Sequence, residues 1–181
     1  IQEPHLSEGN NCSYLADEVC RYEYFFALDL NERELNMLLE NGWRKFGVYY
    51  FRPTCVNCRQ CLPLRVPVDA FIPSKSQRRV LRKASDVRVK YNPLKFRQEI
   101  YDIYRDHSLN RFGSATEKED FISTFYTQTC PAIQSEYYIG KDLVAVGFLD
   151  RSSEALSSVY FVYRTDYNHL NLGTLSVLRE I

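Results

Sequence analysis

The hydrophobic and polar positions in the first third of the chain predict a helix between short strands. Asn31 is followed three residues later by Glu34, then by leucines at helical spacing and by Gly42, which predicts a short helix with a capping box. Residues 47–51 are typical of a strand. Residues 64–68 alternate apolar with polar or proline positions, as an edge strand does. We therefore expect strand, turn and strand to form one unit.

The rest of the chain predicts helices followed by an antiparallel sheet. Residues 74–84 have serine caps and good helix formers, and residues 87–91 alternate as a strand. We expect a helix opened by Pro93 and a second helix opened by the box Thr116-x-x-Glu119. From about residue 133 the period changes to three strands joined by tight turns, which predicts a meander. A helix follows the glycine of "NLGTLSVLREI" and stops after two or three turns, so we expect the native chain to continue beyond Ile181.

Composition places the chain among folded proteins. Its 181 residues, 45% of them hydrophobic and 14% aromatic, suit one domain or two small ones. No apolar run is long enough for a membrane helix, and the first eleven residues lack the pattern of an export signal. Six cysteines are too few for a disulfide-stapled secreted domain. These features predict a soluble, cytoplasmic protein with reduced thiols.

Charge is strongly segregated although the net charge is zero. Residues 43–90 contain twelve basic and two acidic residues, a net charge of +10, so the remainder carries −10. Clustered positive charge favours a polyanionic partner, and a solvated face paired elsewhere is the alternative. The basic residues of the predicted helix at 74–84 are the candidates for contacts with nucleic-acid phosphates: Lys75, Arg78, Arg79, Arg82 and Lys83.

Three cysteines at two-residue intervals, Cys55, Cys58 and Cys61, leave two interpretations open. They begin like an iron–sulfur motif but lack its fourth cysteine, and a zinc site needs a further ligand such as Cys12. Packing as bare thiols is the alternative.

The chain contains neither a P-loop nor a G-x-G-x-x-G motif, which disfavours nucleotide-driven chemistry. Gly173 opens a helix whose free N–H groups could bind an anion, or it only lets the chain turn.

Four segments together resemble one family. They are "CSYL" at 12–15, the long segment from "YYFRPTCVNCRQC" to "SKSQRRVLRKASDV" at 49–87, "LSSVYFVY" at 156–163 and "LNLGTLSVLREI" at 170–181. In this combination they resemble the bacterial aminoacyl-tRNA–protein transferases, relatives of the eukaryotic arginyl-tRNA–protein transferases. The resemblance runs from about Cys12 to Ile181 and is looser in the middle helices.

The resemblance implies an enzyme that moves an aminoacyl group from charged tRNA to a protein beginning with Asp or Glu, which marks that protein for degradation. Leucine is the expected donor residue; arginyl transfer or a non-catalytic RNA-binding module are the alternatives. It also implies an α+β fold with an N-acetyltransferase-like sheet in residues 93–181, preceded by a smaller cysteine-containing region, residues 1–92. No cofactor is required, and zinc or an iron–sulfur cluster is optional.

Site roles follow from the same resemblance. Tyr160, Gly173 and Thr174 are the candidates for acyl transfer, and Arg52 and Arg65 for binding the carboxylate of the acceptor.

This chain also departs from the family pattern. Arg164-Thr165 replaces an aspartate-proline pair common in relatives, and Leu15 replaces the second cysteine of the eukaryotic C-x-x-C pair. The metal site of the eukaryotic enzymes is therefore not expected intact.

Overall fold

A computed structural model describes residues 3–181 of the chain. Its regular structure is two four-stranded antiparallel sheets, a two-stranded ribbon and five α-helices. In chain order the strands and α-helices are β1 (His5–Leu6), β2 (Asn10–Asn11), β3 (Val19–Cys20), β4 (Tyr22–Phe26), α1 (Glu32–Glu40), β5 (Arg44–Phe46), β6 (Tyr49–Pro53), α2 (Lys75–Lys83), β7 (Val87–Pro93), α3 (Gln98–Phe112), α4 (Lys118–Phe125), β8 (Ala132–Ile139), β9 (Asp142–Arg151), β10 (Leu156–Tyr163) and α5 (Leu172–Glu180). Two 3₁₀ helices occupy Val68–Ala70 and Thr165–Leu170.

The first sheet has the strand order β1-β4-β6-β5 and is covered by α1. Phe25 on β4 stacks on Tyr50 of the neighbouring β6, with 5.2 Å between ring centroids, and Trp43 meets Phe25 edge-on. Leu35 and Leu38 of α1 complete this aromatic core. Burying several aromatic side chains gives a small sheet the apolar area that its short strands could not supply alone.

The second sheet has the order β10-β9-β8-β7, with every neighbouring pair antiparallel. Both of its faces are covered. Helices α3 and α4 pack on one face, around Ile100 and Phe121, and helices α2 and α5 pack on the other, around Ala84 and Leu175. Because both faces are covered, β9 is buried along nearly its whole length and lacks the alternation of a half-exposed strand. The α+β class with antiparallel sheets and flanking helices is thus confirmed.

A buried ion pair joins the two sheets. Lys45 of β5 lies 3.3 Å from Asp150 of β9, and the two side chains are only 9% and 6% exposed. The Cys130 thiol also donates to the Asp150 carboxylate at 3.5 Å. Burial raises the pKa of Asp150 and Lys45 opposes that rise. Arg44, the neighbour of Lys45, donates to Ser157 on β10 at 3.1 Å. The sheets are therefore held by polar contacts as well as by packing.

Several predicted elements are confirmed. Asn31 and Glu34 form the predicted capping box of α1, Ser74 and Gln77 form a second box that starts α2, and the meander β8-β9-β10 is present. None of the helices in residues 3–181 is both long and apolar enough to cross a bilayer.

Three local predictions are wrong. Residues 64–67 are exposed irregular chain rather than a strand, and residue 68 begins a 3₁₀ helix. Pro63 and Pro67 lack N–H donors, and Arg65 turns back to the carbonyl groups at the end of α1. The helix expected at Pro93 begins at Gln98, since β7 runs through Pro93. The box at Thr116 does not form: its hydroxyl pairs with Tyr104 at 2.9 Å, and α4 starts without a side-chain cap.

The proposed division of the chain at residues 92/93 falls inside β7, which belongs to the second sheet. Helix α2 also packs with that sheet, through Val80, Leu81 and Ala84. The basic helix is thus physically part of the C-terminal unit, although it precedes the boundary in sequence.

Candidate functional site

Helix α2 presents an exposed cationic surface. Its five basic side chains are all exposed, and none forms an ion pair within residues 3–181: Lys75, Arg78, Arg79, Arg82 and Lys83. We call these five residues the α2 basic surface. Only Arg78 has a hydrogen-bond partner among the described residues, the Pro73 carbonyl at 2.5 Å, which anchors the first turn. Unpaired cations on a rigid helix are suited to a row of phosphates.

The start of α5 lies on the same face of the second sheet as α2. The two helices contact one another and share one apolar cluster. Gly173 and Thr174 are exposed in the first turn of α5, and Asn171 before them has φ 55° and caps no N–H with its side chain. The first N–H groups of the helix are therefore free to bind an anion or a developing oxyanion.

Tyr160, the third residue predicted for acyl transfer, lies on the other face of the sheet. Its ring stacks on Phe125 of α4 with centroids 5.2 Å apart, and burial raises the pKa of the Tyr160 hydroxyl. Its neighbour Phe161 belongs to the cluster beneath α5 instead. The structure thus brings Gly173 and Thr174 together with the α2 basic surface, and places the Tyr160 ring across the sheet from them.

The two arginines predicted to bind an acceptor carboxylate both have partners within the protein. Arg52 pairs with Glu23 at 2.5 Å and stacks over Trp43, while Arg65 donates to the carbonyl groups of Leu39 and Glu40. A ligand carboxylate at either site would have to share or replace those contacts. Their proposed role therefore requires a local rearrangement.

The predicted cysteine group lines one pocket with two cysteines from elsewhere in the chain. Cys55, Cys58 and Cys61 meet Cys12 and Cys20 around a space of about 540 Å³ beside β3, β4 and β6. We call this the thiol pocket. Burial, and then the charges of neighbouring thiols, raise the pKa of Cys61, which favours its protonated form.

The thiol pocket brings five cysteines together, but the described side chains do not form a completed metal site there. Within residues 3–181 no three Cys, His, Asp or Glu side chains are placed to hold an ion. Zinc and iron–sulfur clusters need several thiolates converging on one point. No step of the chemistry below is therefore routed through a metal.

Two polar groups that sequence patterns did not indicate are held against the second sheet. Glu180, in the last turn of α5, accepts hydrogen bonds from Ser135 at 2.9 Å and Tyr137 at 3.1 Å, and burial raises its pKa. His107 of α3 is buried at one end of the sheet, and burial lowers its pKa. Both follow the apolar period of an amphipathic helix, so spacing alone marks neither as a polar site.

Arg164 and Thr165, which depart from the family pattern, both have polar partners within the protein. Arg164 pairs with Asp166 at 2.6 Å. The Thr165 backbone N–H donates to Asp106 of α3 at 2.7 Å. An acidic side chain thus does lie at this place, but an arginine neutralises it.

The exposed cations of α2 and the free N–H groups at the start of α5 suit a protein that acts on a nucleic acid. Family comparison supports this class. Residues 10–79 match the model of the arginine-tRNA-protein transferase N terminus, and residues 97–181 match that of its C terminus.

Individual relatives are named aspartate/glutamate leucyltransferases. The chain is 30% identical to an aspartate/glutamate leucyltransferase of Helicobacter hepaticus, over 97% of this chain and 76% of the relative. It is 30% identical to proteins of the same name from Pseudomonas putida, covering 98% and 77%, and from Campylobacter jejuni, covering 95% and 75%. The chain belongs to the arginine-tRNA-protein transferase family, and the resemblance found in its motifs is confirmed.

Proposed function

We propose that the protein transfers an aminoacyl group, preferably leucine, from charged tRNA to the N-terminal Asp or Glu of acceptor proteins. The observation that carries this proposal is the similarity to curated aspartate/glutamate leucyltransferases over nearly the whole chain. Addition of leucine would mark the acceptor for degradation, and the reaction would take place in the cytoplasm. Arginyl transfer by the same chemistry is the second candidate, because the matching family models are named for arginine.

Binding of the donor is assigned to the α2 basic surface. Its five exposed cations match a polyanion, and its contact with α5 sets a bound tRNA beside the free N–H groups at Gly173 and Thr174. The 3′ end of the tRNA carries the reactive ester, so the phosphate surface and the acyl site must be neighbours. This adjacency supports Gly173 and Thr174 as the acyl-transfer candidates more than it supports Tyr160.

The chemistry is direct aminolysis. The acceptor α-amine has an ordinary pKa of about 8, so an appreciable fraction is neutral at pH 7. Its nitrogen attacks the ester carbonyl, a C–N bond forms, the C–O bond to the tRNA breaks, and a proton from the amine ends on the departing oxygen. Backbone N–H groups at the start of α5 can stabilise the tetrahedral oxyanion between those steps. Positioning and this electrostatic stabilisation suffice without a covalent enzyme intermediate.

An N-acetyltransferase-like architecture for the C-terminal unit is part of the proposal. It is supported by the antiparallel sheet β7–β10 covered on both faces, and by the position of α5, which follows the edge strand β10 after one short 3₁₀ helix. In such a fold the aminoacyl-tRNA ester would take the place of an acyl thioester.

Arg52 and Arg65 remain candidates for binding the acceptor, and the thiol pocket remains a candidate for binding a metal. Metal analysis of anaerobically purified protein, with a Cys55→Ser, Cys58→Ser and Cys61→Ser variant as control, tests the second point. Transfer activity that survives in the variant would show that the three thiols are not needed for the reaction.

The decisive experiment offers the purified full chain labelled Leu-tRNA or Arg-tRNA together with a peptide that begins with Asp, Glu or Ala. We expect leucine to reach the acidic peptides and not the Ala peptide or an α-acetylated Asp peptide. Label only from Arg-tRNA would establish the arginyl alternative.

A non-catalytic RNA-binding module makes a different prediction. It would transfer neither label, and it would bind charged and uncharged tRNA equally, with the steep salt dependence of phosphate contacts. That pattern would refute the proposed transfer.

A further inference from the structure

A second pocket, of about 490 Å³, lies at the free edge of the second sheet. It is formed where the C-terminal half of α3 meets the end of β10 and the 3₁₀ helix Thr165–Leu170. Its lining includes His107, Asn110, Arg111, Tyr163 and Asn168. We call it the α3 pocket. Its volume is typical of a small-ligand site and large enough for one or two amino-acid residues.

Arg111 supplies an available positive charge to the α3 pocket. Its guanidinium touches the Tyr163 hydroxyl at 3.3 Å and forms no ion pair within residues 3–181. The two carboxylates nearby are already engaged, Asp106 by Thr165 and Asp166 by Arg164. An incoming carboxylate can therefore pair with Arg111 without displacing an acidic residue of the protein.

His107 supplies a hydrogen-bond acceptor. The residue is 5% exposed, its ring lies 4.6 Å from that of Tyr163, and Nδ1 has no hydrogen-bond partner among the described residues. Burial is the main cause of its lowered pKa, and the backbone of Tyr163 opposes the change. Burial thus disfavours the charged imidazolium, and in the neutral ring the nitrogen without a proton can accept a hydrogen bond. A buried lone pair without a donor costs free energy, so a ligand N–H that satisfied it would bind more tightly.

We propose that the α3 pocket receives the N-terminal acidic residue of the acceptor, with Arg111 binding its side-chain carboxylate and His107 accepting a hydrogen bond from its α-amine. This inference rests on the proposed function and names the site for its second substrate. A free amine and a carboxylate close together are what distinguish an N-terminal Asp or Glu from any internal residue.

The location of the pocket supports this assignment. The 3₁₀ helix that forms one wall contacts both α3 and α5, and it leads directly into the turn at Gly173. The pocket is therefore connected to the turn assigned to the tRNA ester through one short helix. Arg52 and Arg65, in contrast, are both occupied by partners within the protein.

A phosphate of the tRNA is a poorer match to the same pocket. Phosphate needs several donors, whereas this site offers one guanidinium, a neutral imidazole with an acceptor nitrogen, and two neighbouring carboxylates, Asp106 and Asp166. Those carboxylates repel any anion, but the acceptor's first residue also carries an amine, which they attract when it is protonated, whereas a phosphate carries no such group. The charge distribution thus favours the peptide over the nucleic acid.

The test measures binding of short fluorescent peptides to the full chain by anisotropy, with and without uncharged tRNA. The peptides begin with Asp, with Asn, or with α-acetylated Asp. The wild-type protein should bind the Asp peptide most tightly. Arg111→Gln should weaken that binding by about 10- to 100-fold, the effect of losing one charge-assisted hydrogen bond. It should also abolish the preference for Asp over Asn.

Matched variants separate this role from a general loss of charge or of folding. Arg105→Gln removes an equally exposed arginine one helical turn and a half earlier on α3, and should leave binding unchanged. His107→Asn should weaken binding of the free-amine peptide and leave the acetylated one unaffected. Thermal unfolding of each variant shows whether it is folded. If His107→Asn is unfolded, the comparison of Arg111→Gln with Arg105→Gln still tests whether the pocket binds the peptide.

Three results would overturn the assignment: no binding of the Asp peptide in either condition, equal binding of the Asp and Asn peptides, or an Arg111→Gln variant that binds as the wild type does. A variant that loses affinity for tRNA instead of peptide would make the pocket a phosphate site. Failure of the proposed function has a different signature, since peptide discrimination would then persist while neither leucine nor arginine was transferred.

Discussion

Removing charge from the α2 basic surface should weaken tRNA binding by a calculable amount. We choose Arg79→Gln combined with Arg82→Gln, because both side chains are exposed and neither has an ion-pair or hydrogen-bond partner within residues 3–181. Glutamine has a helix propensity close to that of arginine and carries no charge. The two substitutions therefore test electrostatics with little effect on the fold.

The magnitude follows from counterion release. Each phosphate contact contributes about 0.7 to 0.9 to the slope of log K against log salt concentration, so losing two contacts should reduce the slope by about 1.4 to 1.8. At 0.15 M salt that corresponds to about 15- to 30-fold weaker binding. The assay is fluorescence anisotropy of labelled tRNA titrated with protein at several KCl concentrations. The variant and wild-type curves should converge as salt approaches 1 M.

A matched control removes the same charge elsewhere. Arg33→Gln with Arg105→Gln takes two exposed arginines from α1 and α3 and leaves the α2 basic surface intact. This control should have nearly the wild-type slope of log K against log salt concentration, with only the small change that a lower overall charge causes. If both double variants lowered the slope equally, or if the α2 variant left it unchanged, α2 would not be the phosphate-binding surface.

Two further substitutions test the framework that holds the site. Lys45→Met leaves Asp150 buried without its partner and should cost about 3–5 kcal/mol of the free energy of unfolding, measured in urea. Burial already raises the pKa of Asp150, and removing Lys45 raises it further, so this variant should lose stability as pH rises above about 4. Combining Lys45→Met with Asp150→Leu should recover much of the lost stability. Gly147→Ala should cost about 1–3 kcal/mol, because a Cβ there collides with the Ser135 hydroxyl and lies 3.0 Å from Glu180. Adding Ser135→Ala relieves that collision; if the double variant is no more stable than Gly147→Ala alone, the collision is not the cause.

Elements whose signals are local were predictable from sequence. The capping boxes at Asn31 and Ser74 need only residues three positions apart, and the meander after residue 132 is set by alternation and short turns. The box expected at Thr116 failed for a tertiary reason: its hydroxyl is taken by Tyr104, twelve residues earlier. A hydrogen bond of that kind leaves no trace in local spacing.

In the candidate site, too, local features were predictable and tertiary contacts were not. The α2 basic surface was predictable because its five charges lie within nine residues of one helix and must face solvent. The sequence could not show that Arg111 lacks an ion-pair partner within residues 3–181 while Arg52 has one, because the fold decides which residue lies against each guanidinium. Equal-looking arginines in a sequence therefore differ in what they can bind once their partners are known.

Tyr160 lies on the face of the sheet opposite to α5. Neighbouring residues of a strand point to opposite faces of the sheet, so Tyr160 and Phe161 cannot serve the same face. Because α2 and α5 cover the face of Phe161, a hydroxyl at Tyr160 could reach an ester held at Gly173 only around the edge of β10. The α3 pocket occupies that edge at the end of β10. If donor and acceptor meet there, Tyr160→Phe should leave both tRNA binding and the Asp-over-Asn preference intact. It should also reduce transfer by less than about 10-fold, well below the 100-fold or greater loss typical when a donor to the oxyanion is removed.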